Sequence, residues 1–272
     1  MEEQIITIFC LCDDYIQSIN HVDWPNTKLS TSEVLLISFI STRFFYGNIE
    51  NSRKFLIEHG YIKNLSKSAL NRRMHQIPYD WWNNILGFIQ KWKGSCEATI
   101  EYIVDAFPIS VCRNIRIQNC RILQGEAIRG YNVSKKEYFY GMKATVITTR
   151  SGCPVQALLC PGGEHDSVPF KHMELTLPIG SELYGDSAYL DYEHEERLLK
   201  EKQVRLIAAR KSNSRKPLAL EDFVNLTHIR GQIESTFGLI SRLLPRKIHS
   251  ITPEGFEIKV LAFIVAAATF FI

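Results

Sequence analysis

From about residue 97 onward the apolar residues fall into short strand-like runs divided by helical stretches, in the order β-β-β-α-β-α-β-α. No other feature of the chain constrains its fold as strongly. Thr99 to Asp105 reads as a strand that Pro108 is expected to end. Tyr138 to Thr149 and Val155 to Cys160 read as two more, joined in a hairpin around Ser151-Gly152. A short helix over Phe170 to Leu175 leads to a fourth strand, Glu182 to Tyr184, which closes on Gly185-Asp186. A charged helix over Tyr192 to Lys202 and a fifth strand over Val204 to Ala208 follow. After a basic linker comes a long helix, about Asp222 to Leu244, whose apolar positions Leu226, Ile229, Ile233, Phe237, Ile240 and Leu244 step by three or four and mark one buried face. Thr252-Pro253-Glu254 opens a last helix with proline at its first position.

Residues 1 to about 95 carry only helical spacing. Ile5, Ile6, Phe9, Cys12, Ile16 and Ile19 make one apolar face, and Ser30 with Glu33 forms a capping box ahead of Val34-Leu35-Leu36. A third helix over Ser52 to Glu58 stops at Gly60, Ser66 is placed to cap a fourth through His75, and an aromatic-rich segment from Tyr79 to Trp92 closes the region. The chain therefore divides into an all-helical domain, 1–95, and an α/β domain, 96–272. Three antiparallel strands followed by two parallel strands arriving through helices, all flanked by helices, is the order of a ribonuclease-H-like mixed sheet.

Composition adds limits. Apolar residues at 45% suit a packed core, and the net charge of +3 permits nucleic-acid binding without arguing for it. Seven cysteines with no C-x-x-C pair point away from a zinc site or a disulfide framework and toward reduced core thiols in a cytoplasmic protein. Met1-Glu2-Glu3 is acidic where a secretion signal is basic. The apolar stretch Val260 to Ile272 is too short to span a bilayer, which needs about 20 residues, so a buried helix is expected there and no membrane partner.

Asp105 ends the first strand, Asp186 follows the fourth after a glycine, and Glu234 lies beside the buried face of the long helix. If the first and fourth strands are neighbours, both aspartates emerge at one sheet edge, where a packed helix would bring up Glu234. Three such carboxylates need cations between them. Mg²⁺ or Mn²⁺, with its preference for oxygen ligands, suits the set, and two ions about 4 Å apart activate an attacking oxygen and stabilise a leaving one in phosphodiester chemistry. Each residue also has an ordinary reading: a strand-end aspartate is a common turn or cap residue, and Glu234 four residues after Arg230 is a common helix ion pair. Spacing alone leaves both readings open.

The surrounding words narrow the choice. Ile103-Val104-Asp105-Ala106-Phe107-Pro108, followed by Cys112-Arg113-Asn114-Ile115-Arg116, resembles the first catalytic block of bacterial insertion-sequence transposases with a DDE triad, most of all the insertion-sequence-982 family. Gly130-Tyr131 with Ser134 to Lys143, Pro161 to Ser167, Leu183 to Tyr189, and Arg230-Gly231-Gln232-Ile233-Glu234-Ser235-Thr236-Phe237 are similar to that family's later blocks, in order along the chain. Asn71-Arg72-Arg73 in the helical segment also fits. The resemblance implies that Asp105, Asp186 and Glu234 are catalytic metal ligands for two Mg²⁺ (or Mn²⁺) ions. It implies cleavage at transposon terminal inverted repeats and joining to double-stranded target DNA. Ala106 stands where relatives often carry serine, and the third block has Thr227 and Ser241, with Arg242 adjacent, where related families place a tyrosine and a lysine.

Further residues invite a DNA reading beside a structural one. Arg230 and Arg242 flank Glu234 in sequence and suit phosphate contacts, while His165-Asp166 suits an accessory metal or proton-transfer pair or an ordinary polar turn. Arg210, Lys211, Arg215 and Lys216 form an acid-free run, and Lys135-Lys136 a smaller one; both fit a solvated loop or a track for phosphates. Ser66 to His75 has the capped start of a recognition helix, with Asn71, Arg72 and Arg73 as contacts. No phosphate-cradling glycine loop, G-x-S-x-G or H-E-x-x-H is present, which leaves nucleotide hydrolysis, acyl transfer and zinc proteolysis without support. The expected protein is a nucleoid-associated transposase acting as a homodimer on paired DNA ends. The competing readings are a ribonuclease-H-like nuclease without strand transfer and a DNA-binding relic with an impaired site.

Overall fold

Capping chemistry fixes several helices before any tertiary contact forms. In the computed structural model Ser30 accepts the Glu33 N–H while Glu33 accepts the Ser30 N–H, and this reciprocal box starts α2 (Thr31–Phe44) after α1 (Glu2–Ser18). Asn48 caps α3 (Ile49–Glu58), and Ser66 caps α4 (Lys67–Gln76) ahead of α5 (Tyr79–Lys91). The structure describes residues 1–92, 100–133, 135–211, 214 and 216–272, with the backbone alone for Arg230. Thr99, the first residue of the expected first strand, lies outside them, as do Cys96 and Arg215.

The α/β region begins with β1 (Glu101–Cys112), a short β2 (Arg129–Asn132), β3 (Glu137–Thr149) and β4 (Pro154–Pro161). Then come α6 (Ser167–His172), β5 (Glu182–Gly185), α7 (Tyr192–Lys202), β6 (Arg205–Ala208), α8 (Leu220–Leu243) and α9 (Pro253–Ala268). The six strands form one mixed sheet. Its main path runs β2-β3-β1-β5-β6, and β4 pairs with the other stretch of β3. β1 is antiparallel to β3 and parallel to β5, and β5 is parallel to β6.

Three expectations change here. The short strand β2 has no counterpart in the sequence reading, and α6 starts three residues earlier than expected. Nor does Pro108 end β1, which runs on to Cys112 with Pro108 opposite Lys143 of β3. Pairing with β5 stops at Val104, so at Pro108 only one edge of β1 carries a ladder, and a missing N–H is tolerated on such an edge. Close approach of β3 to β1 explains one glycine: a Cβ on Gly141 would sit 2.0 Å from the Ile109 carbonyl oxygen.

Both sheet faces are covered. Tyr102, Val104, Leu183 and Leu206 pack with Phe170, Met173, Tyr189 and Leu198 on one face. On the other, Ile103, Tyr184 and Ile207 pack against Leu226, Ile229 and Ile233 of α8, whose apolar stripe is the one its spacing predicts. Strand alternation produces both layers from the same short strands.

The chain packs as two compact units, Met1–Cys96 with Ile240–Ile272, and Glu97–Leu239. The expected boundary at 95/96 therefore misplaces the last helix: α9 packs with α2 and α5 in the helical unit rather than in the α/β unit. Val260 to Ala268 are buried on every side of α9, which makes it the centre of that unit. Each Val, Ile, Leu or Phe so buried contributes about 1.5–3 kcal/mol relative to exposure. Among the described residues no helix is long and apolar enough to cross a membrane, and the six described cysteines are all free.

Candidate active site

The two aspartates meet because of register. β1 and β5 pair in parallel up to Val104 opposite Gly185, so Asp105 and Asp186 are the next residues on two strands whose axes lie about 4.8 Å apart. By alternation they share the parity of Ile103 and Tyr184, the residues that pack against α8. Each carboxylate is braced by its own backbone: Asp105 Oδ1 accepts the Ala106 N–H and Asp186 Oδ1 accepts the Ala188 N–H, both at 2.7 Å. Asp186 thus also does the ordinary work of a cap, on the 3₁₀ turn Ser187–Tyr189.

That turn delivers a residue without an assigned part in the sequence reading. Tyr189 is 1% exposed, its ring rests edge-on against Phe170, and its buried hydroxyl has no hydrogen-bond partner. Burial pushes the phenol well above its ordinary ionisation range, and the negative charges of Asp105, Asp166 and Asp186 push it further. Asp166 is held by Lys143 of β3, whose ammonium lies 2.6 Å from Asp166 Oδ1 and also donates to the Glu164 carbonyl. His165 is exposed and bonded to Ser167, whereas Asp166 is half-buried and paired with Lys143. Tyr189 and Lys143 both lie inside the ordered blocks of sequence quoted above, which was the signal available for finding them.

Glu234 lies on α8, the helix covering the face that both aspartates share, next to Ile233 and one turn before Phe237, whose ring stands 4.7 Å from that of Phe107 on β1. Its carboxylate is exposed. Among the described residues no three His, Cys, Asp or Glu side chains are grouped closely enough to hold a metal ion, so the structure brings together Asp105 and Asp186 but does not close a triad with Glu234.

The basic candidates separate by their partners. Arg73 is not available to DNA: its guanidinium is 2.7 Å from Asp23 Oδ1, also donates to the Leu29 carbonyl and the Thr31 hydroxyl, and its side chain is 21% exposed. Asn71 and Arg72 on the same helix are exposed. Arg210 pairs with Glu195 of α7 at 2.7 Å, and Lys216 pairs with Glu196 at 2.8 Å. Both also lie over the Tyr192 ring, so these two cations pin the linker to α7 rather than standing free along it. Lys211, Lys135 and Lys136 are exposed, the last two on the turn between β2 and β3. Arg242 is exposed and falls in the helical unit.

A family model for the transposase DDE domain matches residues 93–245, more than half of the chain. The chain belongs to the DDE transposases. Comparison with curated proteins and with solved structures gave no match. The matched region and the α/β unit, Glu97–Leu239, nearly coincide, so the family signal lies on the unit that carries the paired aspartates.

Proposed function

We propose that the chain cuts the ends of its own element and joins them to double-stranded target DNA, with Asp105, Asp186 and Glu234 as the acting carboxylates. The observation that carries this reading is the register of β1 and β5, which sets Asp105 and Asp186 side by side within the region matched by the DDE domain. The sheet path β4-β3-β1-β5-β6, with the short β2 added, supports a ribonuclease-H-like fold, and the ordered blocks support the insertion-sequence-982 group within the family. The helical unit is the DNA-binding part, and a homodimer pairs two ends in the cytoplasm, at the nucleoid.

The donor set fits a hard divalent cation. It offers carboxylate oxygens on adjacent strands, and Asp186 Oδ2 has no partner among the described residues. Asp105 and Asp186 would hold Mg²⁺ or Mn²⁺, with Glu234 reaching in from α8. When bound, two such ions supply positive charge to the attacking and leaving oxygens. In the first step a water oxygen bonds to phosphorus at the transposon end and the P–O3′ bond breaks, which leaves a 3′-hydroxyl. In the second step that 3′-oxygen bonds to a target phosphorus and displaces the target's own 3′-oxygen. The backbone N–H bonds to Asp105 and Asp186 keep both carboxylates oriented through these steps.

The test is Mg²⁺-dependent cutting of cognate end DNA, with joining to a plasmid, by the wild-type chain and by Asp105→Asn, Asp186→Asn and Glu234→Gln. Loss of both steps in all three variants supports the reading. Full activity in either aspartate variant refutes it, and cutting without joining by the wild type assigns a nuclease. The open carboxylate group around Glu234 favours one second reading, a DNA-binding relic. Calorimetric titration separates it, because a relic shows no Mn²⁺ binding that Asp186→Asn abolishes.

A further inference from the structure

A groove of about 970 Å³ opens on the helical unit, lined by the α2–α3 connection, by α4, and by the segment that joins α8 to α9. Four cations line it, Lys67, Arg246, Lys247 and Lys259, joined by Asn71 and His249. Among the described residues that line it the only carboxylate is Glu50, and both Glu50 oxygens accept from Arg53, at 2.7 and 2.9 Å. The described lining of the groove therefore carries more positive than negative charge. Burial lowers the ammonium of Lys259, and the charge of Lys67 lowers it further, so the two amines act on each other. Such a pair favours an anion from outside. The space is too large and too open for a single small anion, and the cations are spread along it.

We propose that this groove holds the phosphate backbone of duplex DNA, with Lys67, Arg246 and Lys247 on phosphates and Asn71 at the adjoining edge. The proposal rests on the reading that the chain acts on DNA, but it assigns a surface that the recognition-helix expectation did not contain. Half of that surface comes from residues 245–259, which the sequence reading placed in the other domain. It also replaces Arg73, which is spent on Asp23, as the source of backbone contacts.

The experiment follows binding of the full chain to a labelled duplex by fluorescence anisotropy, in EDTA so that no cutting occurs, between 50 and 200 mM salt. Each lost phosphate contact makes the slope of log K against log salt shallower by about 0.9. Combined Lys67→Gln, Arg246→Gln and Lys247→Gln, all exposed positions, should therefore flatten the slope by about 2 to 3, while Arg246→Lys with Lys247→Arg should keep the wild-type slope. If the triple variant misfolds by circular dichroism, Lys247→Gln alone should still flatten the slope by about 0.9. A wild-type slope in a folded glutamine variant overturns the proposal, as does tighter binding of duplex RNA than of duplex DNA. Cutting activity is scored separately. End cleavage with an unchanged slope removes the groove alone, whereas a flattened slope without cleavage removes only the catalytic reading.

Discussion

Replacing Tyr189 by Phe removes one buried oxygen from the turn that follows Asp186. The ring is buried at 1% exposure and packs against Phe170, and phenylalanine keeps that packing. The hydroxyl has no partner among the described residues, so the protein carries a desolvated polar group there, with the charges of Asp105, Asp166 and Asp186 acting on it. Leaving such a group unsatisfied costs about 1–3 kcal/mol. Tyr189→Phe should therefore stabilise the metal-free α/β unit by about 1–2 kcal/mol, a shift of about 2–8 °C in its melting temperature. The assay is urea unfolding in EDTA followed by far-ultraviolet circular dichroism. Tryptophan fluorescence will not serve, because all four tryptophans, Trp24, Trp81, Trp82 and Trp92, lie in the helical unit. If Asp105 and Asp186 hold Mn²⁺ as proposed, adding it should shrink the advantage, since a bound cation would offset the negative charge that acts on the phenol. A variant destabilised by 1 kcal/mol or more in EDTA would refute the argument, because it would mean that the hydroxyl is hydrogen-bonded.

Two ion pairs give opposite pH behaviour. Burial pushes Asp23 up, but the hydrogen bonds from Thr31 and Arg73 outweigh it and hold the carboxyl below its usual range. Arg73→Ala should thus cost about 1–3 kcal/mol at pH 7, and the difference should shrink as pH falls through the lowered value, measured by tryptophan fluorescence in urea. Glu195 is raised, by burial first, even with Arg210 beside it at 12% exposure. Arg210→Met strips its partner and raises it further. Stability in that variant is best kept below the unfolded value and is lost as pH rises through the folded one, so the deficit, about 1–3 kcal/mol, should be larger at pH 8 than at pH 5 by circular dichroism.

What could be read from the residues follows the range of the forces involved. The Ser30–Glu33 box and the span of α7 are set within a few residues, and both match. The course of β1 through Pro108 depends on where β5 stops, a fact held nearly eighty residues away. Arg73 and Arg210 look like free cations because their acids, Asp23 and Glu195, are distant in sequence. α9 is apolar on every side, so it presents no face that would say which core it joins. The neighbouring aspartates were legible because strand order and strand-end position both point to them. The placement of Glu234 was not, since it depends on how an exposed position of α8 stands over the sheet edge.

That helical unit is closed by α9, which lies on the far side of the α/β unit in sequence, and this has a consequence for the newborn chain. While the ribosome works through residues 97–252, on the order of ten seconds or more at typical elongation rates, α2 and α5 wait with the surface meant for α9 uncovered. A nascent protein so arranged can complete its α/β unit before the basic groove, whose walls include residues 245–259, is finished.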